Sequence, residues 1–254
     1  SVIVAGTSSI ATVGGNLTVG TINGLQSLTV ATGTGDISFT GAIGATTALQ
    51  TLTISTARDV SFGSTVRVSG AVVQSAGTGT TTIRGTSGTG LGSLAVTTSA
   101  VVFDTAATTV TGTVAVTAAT TMNVSNTLDA GSSTIAMVAG TGYTQTSTGS
   151  VITRSTASPA LSLTVTTGNA LLGALSATSG RLTVTASGGN IVDNNDGASP
   201  IVNVSGSTIV LTASGTIGAG NAIEYAAPAV PTATAGSGTP NLQDIATSGG
   251  GSGG

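Results

Sequence analysis

Short apolar–polar–apolar triplets recur along the chain, with no helical stretch between them. Leu28-Thr29-Val30, Leu52-Thr53-Ile54, Leu94-Ala95-Val96, Val114-Ala115-Val116 and Leu182-Thr183-Val184 share this form, as do Leu17-Thr18-Val19 and Leu163-Thr164-Val165. Alternation of period two marks a half-buried strand. The triplets begin at positions 28, 52, 94 and 114, and again at 163 and 182; the gap from Leu52 to Leu94 fits two turns, and the others fit one. A second motif follows the first: "DISF" at 36–39 and "DVSF" at 59–62, with looser versions in "AVVFD" (100–104), "TMNV" (121–124) and "NIVDN" (190–194). "VTASGGNIVD" (184–193) also aligns with "LTASGTIGAG" (211–220). A repeat of roughly 20–25 residues made only of strand and turn predicts a solenoid.

The physics of one rung explains why it must be repeated. A three-residue strand cannot bury its apolar side alone. Stacked on copies of itself at about 4.8 Å per layer, it forms a parallel sheet over a dry interior. Val and Thr suit a pleated surface because their branched side chains pack on it. Glycine-rich joints such as "TGTG" (32–35) and "AGTGT" (76–80) supply the corners. The expected fold is therefore all-β: a parallel β-helix of about ten rungs over residues 1–226, roughly 50 Å long by the interstrand spacing. Leu52, Ile54, Leu94, Val96, Leu182 and Val184 are expected to point inward.

Two segments are less regular. Residues 131–160 are expected to carry a longer loop. From residue 227 to 254 the composition changes: Pro228, Pro231 and Pro240 fall there, and the chain closes in "GGGSGG". Proline cannot donate to a ladder, so this part reads as an extended linker, an edge segment or a flexible tail.

Composition removes several function classes. Only 5% of residues are charged, there is no lysine, and the net charge is −3. That is no electrostatic footprint for nucleic acid and no basic patch for anionic lipid. No apolar run approaches the roughly 18 residues of a membrane span, and "SVIVAGTSSI" lacks the basic start of a signal peptide. Aromatics are 2% and Trp is absent, so bases and sugars find few stacking platforms. The chain has neither Cys nor His, which excludes disulfides, thiolate metal sites and Ser-His-Asp or Cys-His catalysis. No cofactor is expected.

"GDISFTGAIGATTALQTLTISTARDVSF" (35–62) and "SGGNIVDNNDGASPIVNVSGSTIVLTASGTIGAGNAIE" (187–224) resemble the repeats of filamentous-haemagglutinin-like bacterial surface proteins. The resemblance covers most of residues 15–225. It implies a right-handed parallel β-helix, an extracellular or cell-surface location, service as a fibre or adhesin stalk, and contact with a host cell, surface or glycan. No N-terminal secretion domain is recognisable, which reads as a fragment or a processed chain.

No catalytic, cofactor or metal residue is assigned. Asp36 and Asp59 could stack one rung apart as a carboxylate pair for glycoside hydrolysis; the preferred reading is that each ends a corner, where Asp bonds its own backbone. "DNNDG" (193–197) has the clustered oxygens and the glycine of a calcium loop, but lacks its terminal acid and reads as a polar turn. Asn16, Asn123 and Asn203 match the N-glycosylation pattern inside strand-like segments. About one residue in five is Thr. Outward Thr rows could bind ice, but the unequal repeat steps are expected to spoil their registry. The function expected is that of a structural rod, not an enzyme. Its two ends lack helical or charged caps, since no charge precedes Asp36, and open strand edges invite head-to-tail self-association. The alternatives are an ice- or glycan-binding module and, further off, a polysaccharide-acting enzyme.

Overall fold

The computed structural model describes residues 1–195 and 201–245. Every regular element among them is a strand, and every strand pair is parallel. The chain coils as a parallel β-solenoid of about eleven turns. One turn shows the plan. Leu28–Ala31 lies on a first face, Ile37–Phe39 on a second, and Ile43 bridges to Ile22 and Val66 on a third. Leu52–Thr56 then returns to the first face, with Leu52 paired to Leu28. Long strands such as Ala174–Ala186 and Val204–Ala213 run round the corner from the third face into the first, which joins those two ladders into one sheet.

The axis is held by backbone bonds from turn to turn. Leu28 N–H donates to Thr51 O at 3.0 Å, Ile37 N–H to Asp59 O at 2.8 Å and Ile135 N–H to Ala160 O at 2.9 Å. Each ladder aligns its side chains in columns, because period two sends alternate residues inward. The six residues expected inside are all buried. The column through Leu28, Leu52, Val72, Leu94, Val114 and Ile135 continues upward through Leu161, Leu182 and Ile209. On the second face Phe39 and Phe62 stack with centroids 5.2 Å apart and planes 13° from parallel. Each fully buried Leu, Ile or Phe contributes about 1.5–3 kcal/mol against its exposure in the unfolded chain.

The corners demand close approach between turns. Gly44 has φ +73°, and a Cβ there would collide with the carbonyl of Arg67 in the next turn. Only glycine meets both conditions.

Three expectations change in detail. Leu17–Val19 belongs to the second face, paired with Ile37–Phe39, although its sequence copies the first-face triplets. Both faces ask for the same alternation, so the chemistry of a triplet does not name its face. Leu161, not Leu163, aligns with Leu182, which makes that turn longer than the matching triplets suggest. The ladder also continues past residue 226. Thr232–Ala235 pairs with Val210–Ala213, and Leu242–Asp244 with Ile223–Tyr225, so the proline-bearing stretch supplies the edge turn. Thr232 is the first residue after Pro231, and neither Pro228 nor Pro240 falls in a strand. The longer loop expected within 131–160 lies between Thr153 and Leu161.

Candidate functional surfaces

The acids at the entry to the second face form a relay between turns. Asp36 N–H donates to Asn16 Oδ1 at 2.9 Å, Asp59 N–H to Asp36 Oδ1 at 3.3 Å, and Thr80 N–H to Asp59 Oδ1 at 2.6 Å. The same device returns later: Asn190 N–H donates to Asn169 Oδ1 at 2.9 Å, and Thr216 N–H to Asn190 Oδ1 at 2.7 Å. Asp36 and Asp59 therefore do stack one turn apart, but each serves the next turn's backbone and not its own. The guanidinium of Arg58 lies between them, at 2.5 Å from Asp36 and 3.5 Å from Asp59. Its hydrogen bond holds the Asp36 carboxyl below the usual carboxylate range and raises Arg58 in turn. Arg154 and Asp129 repeat the arrangement at 2.9 Å; partial burial opposes ionisation of Asp129, but Arg154 and the Gly131 N–H prevail and lower it. These are cross-turn struts. A hydrolytic pair needs one carboxyl kept protonated, and the contacts of Asp36 favour its charged form.

"DNNDG" begins within a buried polar network. Asn195 N–H and Asn203 Nδ2 donate to Asp193 Oδ1 at 3.0 and 2.6 Å, and Asn221 Nδ2 donates to Asp193 Oδ2 at 2.7 Å. Asp196 and Gly197 of that motif lie outside the described residues. Among the described residues no three His, Cys, Asp or Glu side chains come together as a metal site. Asn203 is buried, and its amide also reaches the carbonyls of Leu172 and Gly173, so it cannot accept a glycan in the folded chain. Asn16 is exposed and Asn123 is half-buried. Tyr143 is enclosed in the interior; burial pushes its hydroxyl far up, and it stays a neutral donor to Gln145 Oε1 at 3.1 Å.

The outward side of the first face is the most regular surface. One column runs Thr97–Thr117–Val138–Thr164–Thr185–Thr212–Thr234, each residue paired with the next. The column beside it runs Ala95–Ala115–Ala136–Ser162–Thr183–Val210–Thr232. Neither holds a charged residue. All of these side chains are exposed or half-buried. The expectation that unequal repeat steps would spoil registry is thus wrong for this face. No irregularity interrupts these paired positions from Ala95 to Thr234; the shift in the upper turns falls between Ala177 and Arg181. Sequence reasoning missed these columns because single triplets do not say which rung meets which.

Among the described residues, Val2–Ile3 pairs with Ile22–Asn23, and Ser8–Ala11 with Leu28–Ala31, in the first turn. Ile3 is 77% and Leu25 72% exposed, beside a groove that Asn23 and Thr46 also line.

Together these features define the class: a three-faced parallel β-solenoid of the general kind found in adhesin-like and fibrous β-helix proteins. No family model, curated protein or solved structure matches the chain.

Proposed function

We propose that this chain is a structural rod segment of an extracellular bacterial fibre or adhesin, of the filamentous-haemagglutinin-like kind, with no enzymatic activity of its own. The supporting observation is the axial ladder of the first face, which passes from strand to strand from Ser8 to Ala235 and absorbs a register shift between Val30 and Ala31. Load along the rod is carried by backbone bonds in three faces at once, and the apolar interior keeps water from competing for them. Few charges and no lysine leave little for trypsin-like proteases, which suits service outside cells. We infer that copies associate head to tail, the last turn of one against the first turn of the next, a heterologous contact that extends without closing.

Electron microscopy of the purified chain tests this. The expected images are rods about 50 Å long that join end to end as concentration rises. Deleting residues 1–13 should shorten the filaments and leave the β-type circular dichroism in place. Compact globules would sink the rod, and monomers at high concentration would sink the head-to-tail contact.

A second reading, of a surface-binding module, is favoured by one observation, the registered threonine column from Thr97 to Thr234. The two readings are compatible, since a rod can carry a binding face.

A further inference from the structure

The threonine column, flanked by a column of mostly alanine and other small residues, belongs to a surface of unusual chemistry. Thr97, Thr117, Thr164, Thr185, Thr212 and Thr234 repeat in register, with Val138 supplying an isosteric branched side chain in the one remaining turn. Each threonine offers one hydroxyl and one methyl on a stiff χ1. The backbone beneath is anchored by buried neighbours such as Val96, Val116 and Val184. The columns repeat about 4.8 Å along the axis, and two columns of one strand stand about 6.7 Å apart. Charge is kept off this surface: the ion pairs Arg58–Asp36, Arg84–Asp104 and Arg154–Asp129 involve none of its positions. Arg181 stands at the margin, opposite Thr208.

The partner must match a neutral, periodic surface that has no aromatic platform and no cluster of carboxylates or amides. A soluble sugar wants those groups; a charged polymer or lipid wants charge. Ordered water wants neither. Tetrahedral water with oxygens about 2.75 Å apart places second-neighbour oxygens about 4.5 Å from each other, within a few tenths of an ångström of the rung spacing. Hydroxyls on that period can occupy lattice positions, and the methyl groups between them leave no charge to impose a competing hydration shell.

We propose that the first face binds ice. The inference rests on the surface-binding reading and names its ligand. The test is slow freezing of the purified chain, with the fraction carried into the ice measured and crystal shape and thermal hysteresis recorded. The wild-type chain is expected to concentrate in the ice and to facet the crystals. Thr117→Lys with Thr185→Lys should abolish both effects, and Thr212→Lys alone should reduce them several-fold. Thr144→Lys, on the second face, should leave them unchanged. Melting followed by circular dichroism checks that each variant folds. Exclusion of the wild-type chain from ice overturns the proposal, as does equal loss in Thr144→Lys. If the chain is excluded from ice but is retained on insoluble polysaccharide through Thr117 and Thr185, ice is wrong and the binding-module reading survives. If it is retained by neither, both fall, and the rod is judged by microscopy alone.

Discussion

The passage from the first face to the second and the return through the third treat length differently. From first to second the chain runs from Leu94 to Val101 in one turn and from Leu182 to Ile191 in another, nearly the same short span. The return from Ala170 to Leu182 is also compact, but the returns from Ile191 to Ile209 and from Tyr143 to Leu161 are half as long again. Variation in repeat length is thus collected on one side of the solenoid. From Leu94 upward the first face stays in register because the added chain length, between Thr153 and Leu161 in one turn and between Asp193 and Val204 in another, is spent before the chain returns. The lesson is physical: a ladder tolerates insertions wherever no column has to be continued.

Four experiments press on that contrast, beginning with the largest effect. Leu94 and Ala95 are neighbours on the first face, one inward and one outward. Leu94→Asp places an unpaired charge in the core and should cost about 4 kcal/mol or more in denaturant melts, or prevent folding. Ala95→Asp should stay within about 0.5 kcal/mol of the parent. Similar losses in both would mean that the inward and outward sides are wrongly assigned.

Insertions compare the two passages directly. A Gly-Ser-Gly tripeptide added after Gly188, in the short corner, must break the alignment of Ile191 with Ala170 and Ile217, and should cost about 2 kcal/mol or more. The same tripeptide added after Thr156, in the return loop, should cost under about 1 kcal/mol. A greater cost at Thr156 would end the idea that the return side absorbs length.

Gln74 is a polar member of an apolar column, between Ile54 and Val96. Its Oε1 accepts from Thr81 Oγ1 at 2.7 Å, while its buried Nε2 has no partner. Replacing both groups, as Gln74→Leu with Thr81→Val, should raise stability by about 1 kcal/mol; Thr81→Val alone should lower it, because the carboxamide then loses its remaining bond. A double variant clearly weaker than the parent would show that this polar pair contributes more than its unpaired amide costs.

The smallest effect is acid sensitivity. Asp36 and Asp129 are held below the ordinary carboxylate range in the folded chain. Their contribution is full above the unfolded value near 3.9 and fades as pH falls through the lowered folded values. The melting temperature should be level from about pH 8 to pH 5 and slip modestly below about pH 4. Arg154→Met should flatten that slope; an unchanged slope would remove Asp129 from the account.

Much of this was legible in the sequence, for identifiable reasons. Leu52-Thr53-Ile54 and Leu182-Thr183-Val184 alternate cleanly, and both lie where alternation places them. Val72-Val73-Gln74 does not read as an apolar triplet because a glutamine occupies an inward position. Ile135 lies in a stretch whose sequence shows no clear repeat. The stacking of Asp36 over Asp59 could be read from the recurrence of "DISF" as "DVSF" one turn later. Its purpose could not, because a side chain that bonds the next turn looks in sequence like one that bonds its own. The threonine column is hidden for the deepest reason. Registry is a relation between turns, and unequal spacing conceals it until the pairing is known.

The most direct test of the central claim is disulfide trapping across the first face, in a chain with no cysteine of its own. Thr185 and Thr212 are register partners although a long turn of chain separates them. Neighbouring strands lie about 4.8 Å apart, inside the reach of a disulfide. Val210, next but one before Thr212 and also outward, lies diagonally from Thr185 at about 8 Å, beyond that reach. Under mild oxidation Thr185→Cys with Thr212→Cys should close nearly completely, and Thr185→Cys with Val210→Cys should remain reduced. Preferential closure of the diagonal pair, or equal closure of both, would contradict a first face kept in register across turns of unequal length.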